Sequence, residues 1–458
     1  MNQNKILTMN LDEAYAAIES NQILICAIGI GRIGLPTALS FAYSGLKTIG
    51  VDINTDLVNM INSGEFPLKD EPEYDKIFDL VIKNGTFHAS SNASEVIPKS
   101  DVVILSLPTP AVSTSVPNYS ALRTVGKQLN EYLSANSLVI VESTIEPGFI
   151  ENELIGIIEG DKSRLEAGKN FSIGVCPETA NPGEILSDFK KLPRLVGSID
   201  EKTTSIITKI YQHVFPVELI HMPDCKTANA VKLTTNVFRD INIAFINELS
   251  IMFEKLGIDT KKVLLAAKSK YNFQVHYPGA GVGGPCLPAN SYQFLNTAKT
   301  VGCELKIVQS GRAINEKMPF YTIELLSKLF ESVNSNIENK TILILGVSYK
   351  PNVKDIQITP AETIIEKLKI MNVNVKIFDP FFKSTTVFGI KTESDLNSSL
   401  ENTDGMIIVT SHDEFKNIDL NLLKSKLRMP MVVDTRGIID PEDAKKAGLT
   451  FKGLGRGQ

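Results

Sequence analysis

One cysteine of this sequence stands where a reactive thiol would be built. Cys286 closes the run Pro278-Gly-Ala-Gly-Val-Gly-Gly-Pro-Cys-Leu-Pro288, a stretch that cannot be a helix, and a helical pattern resumes after Pro288. Proline is tolerated in a first helical turn, so the spacing predicts Cys286 at a helix N-terminus. There the helix dipole favours the thiolate, the form that attacks carbonyls. A buried packing residue is the alternative reading for any cysteine. The remaining cysteines, Cys26, Cys176, Cys225 and Cys303, are widely spread. The total of five is odd, with no CxxC pair and no histidine at zinc spacing, so neither disulfides nor metal sites are expected.

Upstream, Lys232, Asn236 and Arg239 recur at i, i+4 and i+7, which puts an ammonium, an amide and a guanidinium on a single helix face. Within an otherwise apolar helix such a row needs partners. Either the face is solvated, or it receives an anionic or hydroxyl-rich ligand.

A second chemical signature opens the chain. Gly29-Ile-Gly31-Arg-Ile-Gly34 follows a strand pattern and begins a helical one, and Asp52 ends the next strand. Gly29 makes the tight turn, Gly31 lets the backbone approach a pyrophosphate, Gly34 allows close helix packing, and the helix N-terminus faces the phosphate charge. Asp52 can accept from ribose hydroxyls and would repel a 2′-phosphate, so NAD is expected over NADP.

Short Val/Ile-rich runs alternating with helical stretches position these residues: Ile23 to Ile30, Thr48 to Asp52, Val102 to Leu107, Leu138 to Ser143 and Ile173 to Glu178. A second series comprises Lys340 to Gly346, Val373 to Asp379, Gly405 to Thr410 and Met431 to Asp434. Alternation of this kind signals parallel sheets covered by helices on both faces. Between the series a helical pattern takes over, with Val231, Leu233, Val237, Ile241, Phe245, Leu249 and Phe253 tracing an apolar stripe. Such a long helix is either a dimer surface or buried within its own subunit. The expected architecture is α/β, with two Rossmann-like doubly wound parallel-sheet domains joined by a central helical domain. The divisions fall at 1–20 (a helical extension), 21–222 (NAD binding), 223–330 (central, helical) and 331–458 (a second nucleotide fold). The second series keeps Gly346 after its first strand but lacks the remaining glycines, so it reads as a nucleotide site other than a second NAD site.

Length and composition fit this plan. A chain of 458 residues, 43% hydrophobic and 22% charged, has ample core for two or three domains. A net charge of −5 without a basic stripe argues against nucleic acid. The first twenty residues lack a signal-peptide pattern and the apolar runs are strand-length, so a cytoplasmic protein with no membrane span is expected.

Taken together, GIGRIGLPTA, SLPTP (106–110), ESTIEPG (142–148), CPE (176–178), the segment from Lys232 to Asn242, GAGVGGPC, SYKPNVKD (348–355) and VVDTRG (432–437) resemble the UDP-glucose/GDP-mannose dehydrogenase family over nearly the whole length. The likeness is strongest to members acting on UDP-N-acetylmannosamine or UDP-N-acetylglucosamine. It implies an NAD domain, a helical dimer-forming centre and a C-terminal nucleotide-binding domain, with catalysis in the cleft. By position it assigns NAD contacts to Arg32, Ile33, Asp52, Thr109 and Thr144. Nucleotide-sugar contacts fall to Lys232, Asn236, Arg239, Gly283, Tyr349, Lys350 and Arg436, and an active-site glutamate to Glu178. The implied reaction uses two NAD to convert CH2OH to carboxylate. In it, Lys232 or a water it holds takes the alcohol proton, which requires its pKa, ordinarily about 10.4, to fall on burial. Cys286 adds to the aldehyde, and Asn236 with the Lys232 ammonium stabilises the oxyanion.

Five positions depart from that pattern: Thr179 for arginine, Asn229 for glutamate, Asn272 and Gln357 for two further arginines, and Asn290 for the aspartate four residues after the cysteine. They leave open which nucleotide sugar is used, and whether the chain is instead a catalytically impaired binding relative. A hydroxyacid dehydrogenase shares the NAD domain and helical centre but needs neither the cysteine nor a second nucleotide fold.

Overall fold

In the computed structural model, which describes residues 5–110, 116–161 and 164–457, the chain divides into two compact units. The first comprises Met1–Thr235 with Tyr292–Val301, the second Asn236–Ser291 with Gly302–Gln458.

The first unit is built on an eight-stranded sheet of β1 (Leu24–Ile28), β2 (Lys47–Val51), β3 (Phe87–Ser90), β4 (Val102–Leu105), β5 (Ser137–Val141), β6 (Phe171–Val175), β7 (Arg194–Ser198) and β8 (Leu219–His221). Its order is β3-β2-β1-β4-β5-β6-β7-β8. Side chains alternate between two cores: Leu138 and Ile140 of β5 enter one, Val139 and Val141 the other. Both faces are therefore dry, and helices must cover both. All neighbours run parallel except β6 and β7, which are antiparallel, a departure from the purely parallel expectation. The N-terminal helix Leu11–Glu19 starts on a reciprocal cap between Asn10 and Glu13 and buries Ala14, Ala17 and Ile18.

The second unit carries β9 (Thr341–Leu345), β10 (Asn374–Phe378), the short antiparallel pair β11 (Thr386–Val387) and β12 (Ile390–Lys391), then β13 (Gly405–Ile408), β14 (Met431–Asp434) and β15 (Thr450–Gly453). The five-stranded sheet is parallel, in the order β10-β9-β13-β14-β15. The same alternation recurs, with Ile342 and Ile344 in one core and Leu343 and Leu345 in the other.

The long helix runs Cys225–Lys255, and the Asp224 carboxylate caps it by accepting from the Thr227 amide at 2.7 Å. The apolar stripe does not fall on one buried face. Leu233 and Val237 are buried, but Phe245 is 49% exposed. Its buried face also carries Asn236, Asp240, Asn247 and Ser250. These polar groups are hydrogen-bonded, so polarity does not mark the solvent side here. Among the described residues no helix is long and apolar enough to cross a membrane.

Candidate active site

The first unit supplies a dinucleotide cradle. Gly29 leaves β1 at φ +89°, and a Cβ on Gly34 would stand 1.9 Å from the Gly29 carbonyl oxygen, so the helix Gly34–Tyr43 can approach the turn only without a side chain there. The space a Cβ of Gly31 would enter is open, as close approach of a pyrophosphate requires. Asp52 follows β2, half-buried. Its Oδ2 accepts from the Ile30 amide at 3.0 Å and its Oδ1 from the Asn54 amide at 2.9 Å. A carboxylate has about four acceptor positions, so two remain for ribose hydroxyls. These residues fit NAD.

Other positions assigned to the cofactor also lie in this unit. The Thr109 hydroxyl donates to the Thr144 carbonyl at 2.7 Å, which joins the loops after β4 and β5. Ile33 precedes the helix Gly34–Tyr43 as its N-cap residue. Arg32 is engaged within the protein: its guanidinium meets Asp70 at 2.6 Å and Glu71 at 3.2 Å. The buried Glu71 carboxylate also accepts from the Gly183 amide at 2.7 Å and thereby fastens the segment after Glu178. Glu178 is buried, and its carboxylate accepts from the Ala180 amide.

Beneath Glu178 lies a group that sequence reasoning passed over. Arg194 is 2% exposed, its guanidinium 4.0 Å from the ring centre of Phe215 and 4.5 Å from that of Phe189. It faces the Glu142 carboxylate at 3.6 Å, which accepts from the Tyr211 and Ser106 hydroxyls at 2.7 and 2.8 Å. Burial pushes the Glu142 carboxyl up, against Arg194, Tyr211 and Ser106. The Glu142 carbonyl takes the Glu178 amide at 3.3 Å, so this buried pair fixes the backbone of Glu178. Only the acid in ESTIEPG hinted at it.

On the long helix Lys232 and Asn236 are buried, 8% and 9% exposed, whereas Arg239 is exposed. The expected row is therefore split, with two groups enclosed and one open. Asn229, one turn before Lys232, is 1% exposed, and neither polar atom of its amide has a hydrogen-bond partner.

Within the second unit the cysteine loop is tightly held. Cys286 is exposed and precedes the helix Leu287–Thr300 as its N-cap, its carbonyl accepting from the Asn290 amide at 2.9 Å. The Asn236 side chain donates to the Asn290 side-chain oxygen at 2.6 Å, a buried contact. The next residue, Ser291, donates to Asp240 at 2.7 Å, and Asp240 also holds Arg312 at 3.0 Å and Asn315 at 2.8 Å. Breaking a buried ion pair of this kind costs about 3–5 kcal/mol, which makes Asp240 an anchor of the helix bearing Asn290.

The glycines of the loop are explained by its neighbours. A Cβ on Gly283 would stand 2.4 Å from the Ile358 carbonyl oxygen and one on Gly284 2.7 Å from the Tyr349 ring. The loop thus lies directly against the segment bearing Tyr349 and Lys350. Arg436 faces Gly279 and donates from Nε to the Val409 carbonyl at 2.7 Å. Burial lowers its pKa from the ordinary arginine range. Of the departures from the family pattern, Gln357 folds back on Asp355 at 3.3 Å while its carbonyl accepts from Gly284; Asn272 is exposed and Thr179 half-buried.

Comparison with known proteins gives this geometry its context. Residues 23–215 match the NAD-binding domain of the UDP-glucose/GDP-mannose dehydrogenase family, 226–317 its central domain and 343–441 its UDP-binding domain. A UDP-N-acetyl-D-mannosamine dehydrogenase of Pyrococcus horikoshii is 31% identical over 94% of this chain and 99% of its own length. A UDP-D-ManNAc dehydrogenase structure from the same organism superposes with a TM-score of 0.88 at 31% identity, covering 95% of this chain and 100% of that one. A UDP-N-acetyl-D-glucosamine 6-dehydrogenase of Salmonella typhi is 29% identical over 87% of this chain and 92% of its own length. With a cradle fitted to NAD in one unit and a UDP-binding fold in the other, the chain belongs to the UDP-glucose/GDP-mannose dehydrogenase family and is an NAD-dependent nucleotide-sugar dehydrogenase.

Proposed function

We propose that this protein oxidises C6 of UDP-N-acetyl-D-mannosamine from primary alcohol to carboxylate, with Cys286 as the covalent nucleophile. The observation that carries the reading is the N-cap position of exposed Cys286, one turn before Asn290 and its bond to Asn236. The substrate choice rests on the UDP-N-acetyl-D-mannosamine dehydrogenases that are 31% identical over nearly the whole chain.

NAD supplies the hydride acceptor when bound, one molecule for each of the two oxidations. Lys232, or a water it holds, takes the alcohol proton as the aldehyde forms. The Cys286 thiolate then adds to the aldehyde carbon. Loss of a second hydride from this thiohemiacetal leaves a thioester, and water cleaves it to the carboxylate and the free thiol. Asn236 and Lys232 stabilise the oxyanion, and Glu178 serves as the active-site carboxylate. Asn290 orients the hydrolytic water but cannot take its proton; base assistance is worth about 10²–10⁴-fold, so hydrolysis is slow rather than absent. Arg32, Ile33, Asp52, Thr109 and Thr144 hold the cofactor, and Arg239, Gly283, Tyr349, Lys350 and Arg436 the nucleotide sugar. The three-part division at residues 21–222, 223–330 and 331–458 belongs to the same proposal, as does a cytoplasmic location.

The missing carboxylate at Asn290 favours one second reading, a relative that binds nucleotide sugar and NAD without turnover. Incubation with UDP-N-acetyl-D-mannosamine and NAD separates the two: NADH and uronic acid support the enzyme, and binding without NADH supports the alternative. A panel of UDP- and GDP-sugars then fixes the substrate. The protein is further proposed to be a homodimer through the long helix, supported by Phe238, Phe245 and Met252, which recur every seven residues and are 49%, 49% and 45% exposed. Phe245→Glu should convert the dimer to monomer in sedimentation analysis; an unaltered dimer contradicts this surface.

A further inference from the structure

The second nucleotide fold contains a buried histidine with two directed hydrogen bonds. His412, beyond the end of β13, is 0% exposed. Its Nδ1 accepts from the Asn352 amide at 2.9 Å, and its Nε2 lies 3.0 Å from Asp379 Oδ2. A backbone amide only donates, so Nδ1 carries no proton and the ring proton sits on Nε2, donated to Asp379. The same Asp379 oxygen accepts from the Val347 amide at 2.7 Å and the Ser348 amide at 3.2 Å. Asn352 is itself held in the left-handed region at φ +61°, and its side-chain oxygen accepts from the Asp413 amide at 3.0 Å.

These contacts bracket one short segment. Asp379 fixes its start at Val347 and Ser348, and His412 fixes its middle at Asn352. Between them stand Tyr349 and Lys350, with the Tyr349 ring against Gly284, two residues before Cys286. We infer that His412 is a positioning residue for the nucleotide sugar: it clamps the segment 347–355 through the Asn352 amide, so that Tyr349 and Lys350 are presented in one conformation. The inference rests on the proposal that Tyr349 and Lys350 hold the nucleotide. Two atoms of His412 have separate tasks. The Asn352 bond sets the loop, whereas the Asp379 bond sets the ring.

Steady-state kinetics with UDP-N-acetyl-D-mannosamine varied at saturating NAD test this. His412→Phe keeps a ring and loses both bonds. It should raise KM for the sugar about tenfold, equivalent to about 1.4 kcal/mol, with kcat and the KM for NAD within about twofold of the parent. His412→Asn retains an acceptor at the place of Nδ1 and should stay close to the parent. His412→Gln retains a donor at the place of Nε2 and should behave like the phenylalanine variant. The Asn and Gln pair decides the matter even if the Phe variant does not fold. Equal behaviour of Asn and Gln, or a parallel loss in kcat and NAD affinity, overturns the clamp. Lys350→Ala serves as the reference. A raised sugar KM there with no change in His412→Phe overturns the clamp alone, whereas no change in Lys350→Ala overturns the nucleotide site and the clamp with it.

Discussion

After β1, Gly29 turns at φ +89° and the next amide, Ile30, donates to Asp52; after β9, Gly346 turns at φ +83° and the next amide, Val347, donates to Asp379. Each aspartate directly follows the second strand of its sheet in chain order, and each uses Oδ1 to accept from the amide two residues on, Asn54 and Phe381, at 2.9 Å. They differ in what is left over. Asp52 is half-buried with acceptor positions to spare, whereas Asp379 is fully buried and occupied by Ser348 and His412. One backbone plan therefore gives a carboxylate with acceptor positions to spare in one unit and a sealed structural carboxylate in the other. The residue that fills the strand-end acid decides which.

The largest effect expected lies where the second fold meets the cysteine loop. Cys286→Ser should lower acid formation by three orders of magnitude or more, since a serine hydroxyl without an activating base is a poor nucleophile, while NAD and nucleotide-sugar binding persist in calorimetry. Near-normal acid formation would remove covalent catalysis from this position.

A smaller, cofactor-directed effect belongs to the first fold alone. Asp52→Asn removes the charge that repels a 2′-phosphate and should shift the ratio of kcat/KM for NAD over NADP toward NADP by about 10-fold or more. Asp379→Asn should leave that ratio unchanged. If the two variants alter cofactor choice alike, the contrast drawn between the folds is wrong.

The smallest effect is on stability. Burial pushes the Asp379 carboxyl up, but the hydrogen bonds it accepts from His412 and from the Val347 and Phe381 amides more than offset it, leaving its pKa below the usual carboxylate range. A carboxyl depressed in the folded state contributes stability that is present above about pH 4 and lost as pH falls through the folded value. Asp379→Asn should therefore be less stable near neutrality by about 1–3 kcal/mol, with a flatter loss below pH 4 in thermal melts. An identical acid profile would mean that Asp379 is not held ionised by its partners.

The parts legible in the sequence were those whose chemistry is local. Gly29, Gly31, Gly34 and Asp52 carry their turn, close approach and charge within one strand–helix–strand unit, and Cys286 announces its helix end through the flanking prolines. Strands β3, β7, β8 and β15 were missed because they lack a continuous apolar run: Phe87–Ser90 alternates in burial, and Arg194–Ser198 has only Leu195 and Val196 between an arginine and Gly-Ser. The apolar stripe that includes Phe245 leaves a dimer surface and a buried helix undecided, because an exposed apolar surface and a core stripe have the same period; Phe245 proves to be 49% exposed. Conversely, the spacing of Asn236 leaves a solvated face and a ligand-facing one open, and nothing local shows that Asn236, Asp240 and Asn247 make their hydrogen bonds inside. The clamp at His412 and the Arg194–Glu142 pair were invisible for another reason: their members come from separate loops and strands and share no spacing.

The central claim is a four-electron oxidation through Cys286, and stoichiometry tests it most directly. With UDP-N-acetyl-D-mannosamine limiting and NAD in excess, two NADH should form per sugar, the product should be the carboxylate, and mass spectrometry during turnover should detect a thioester adduct on Cys286. One NADH per sugar with free aldehyde released, and no adduct, would contradict the account.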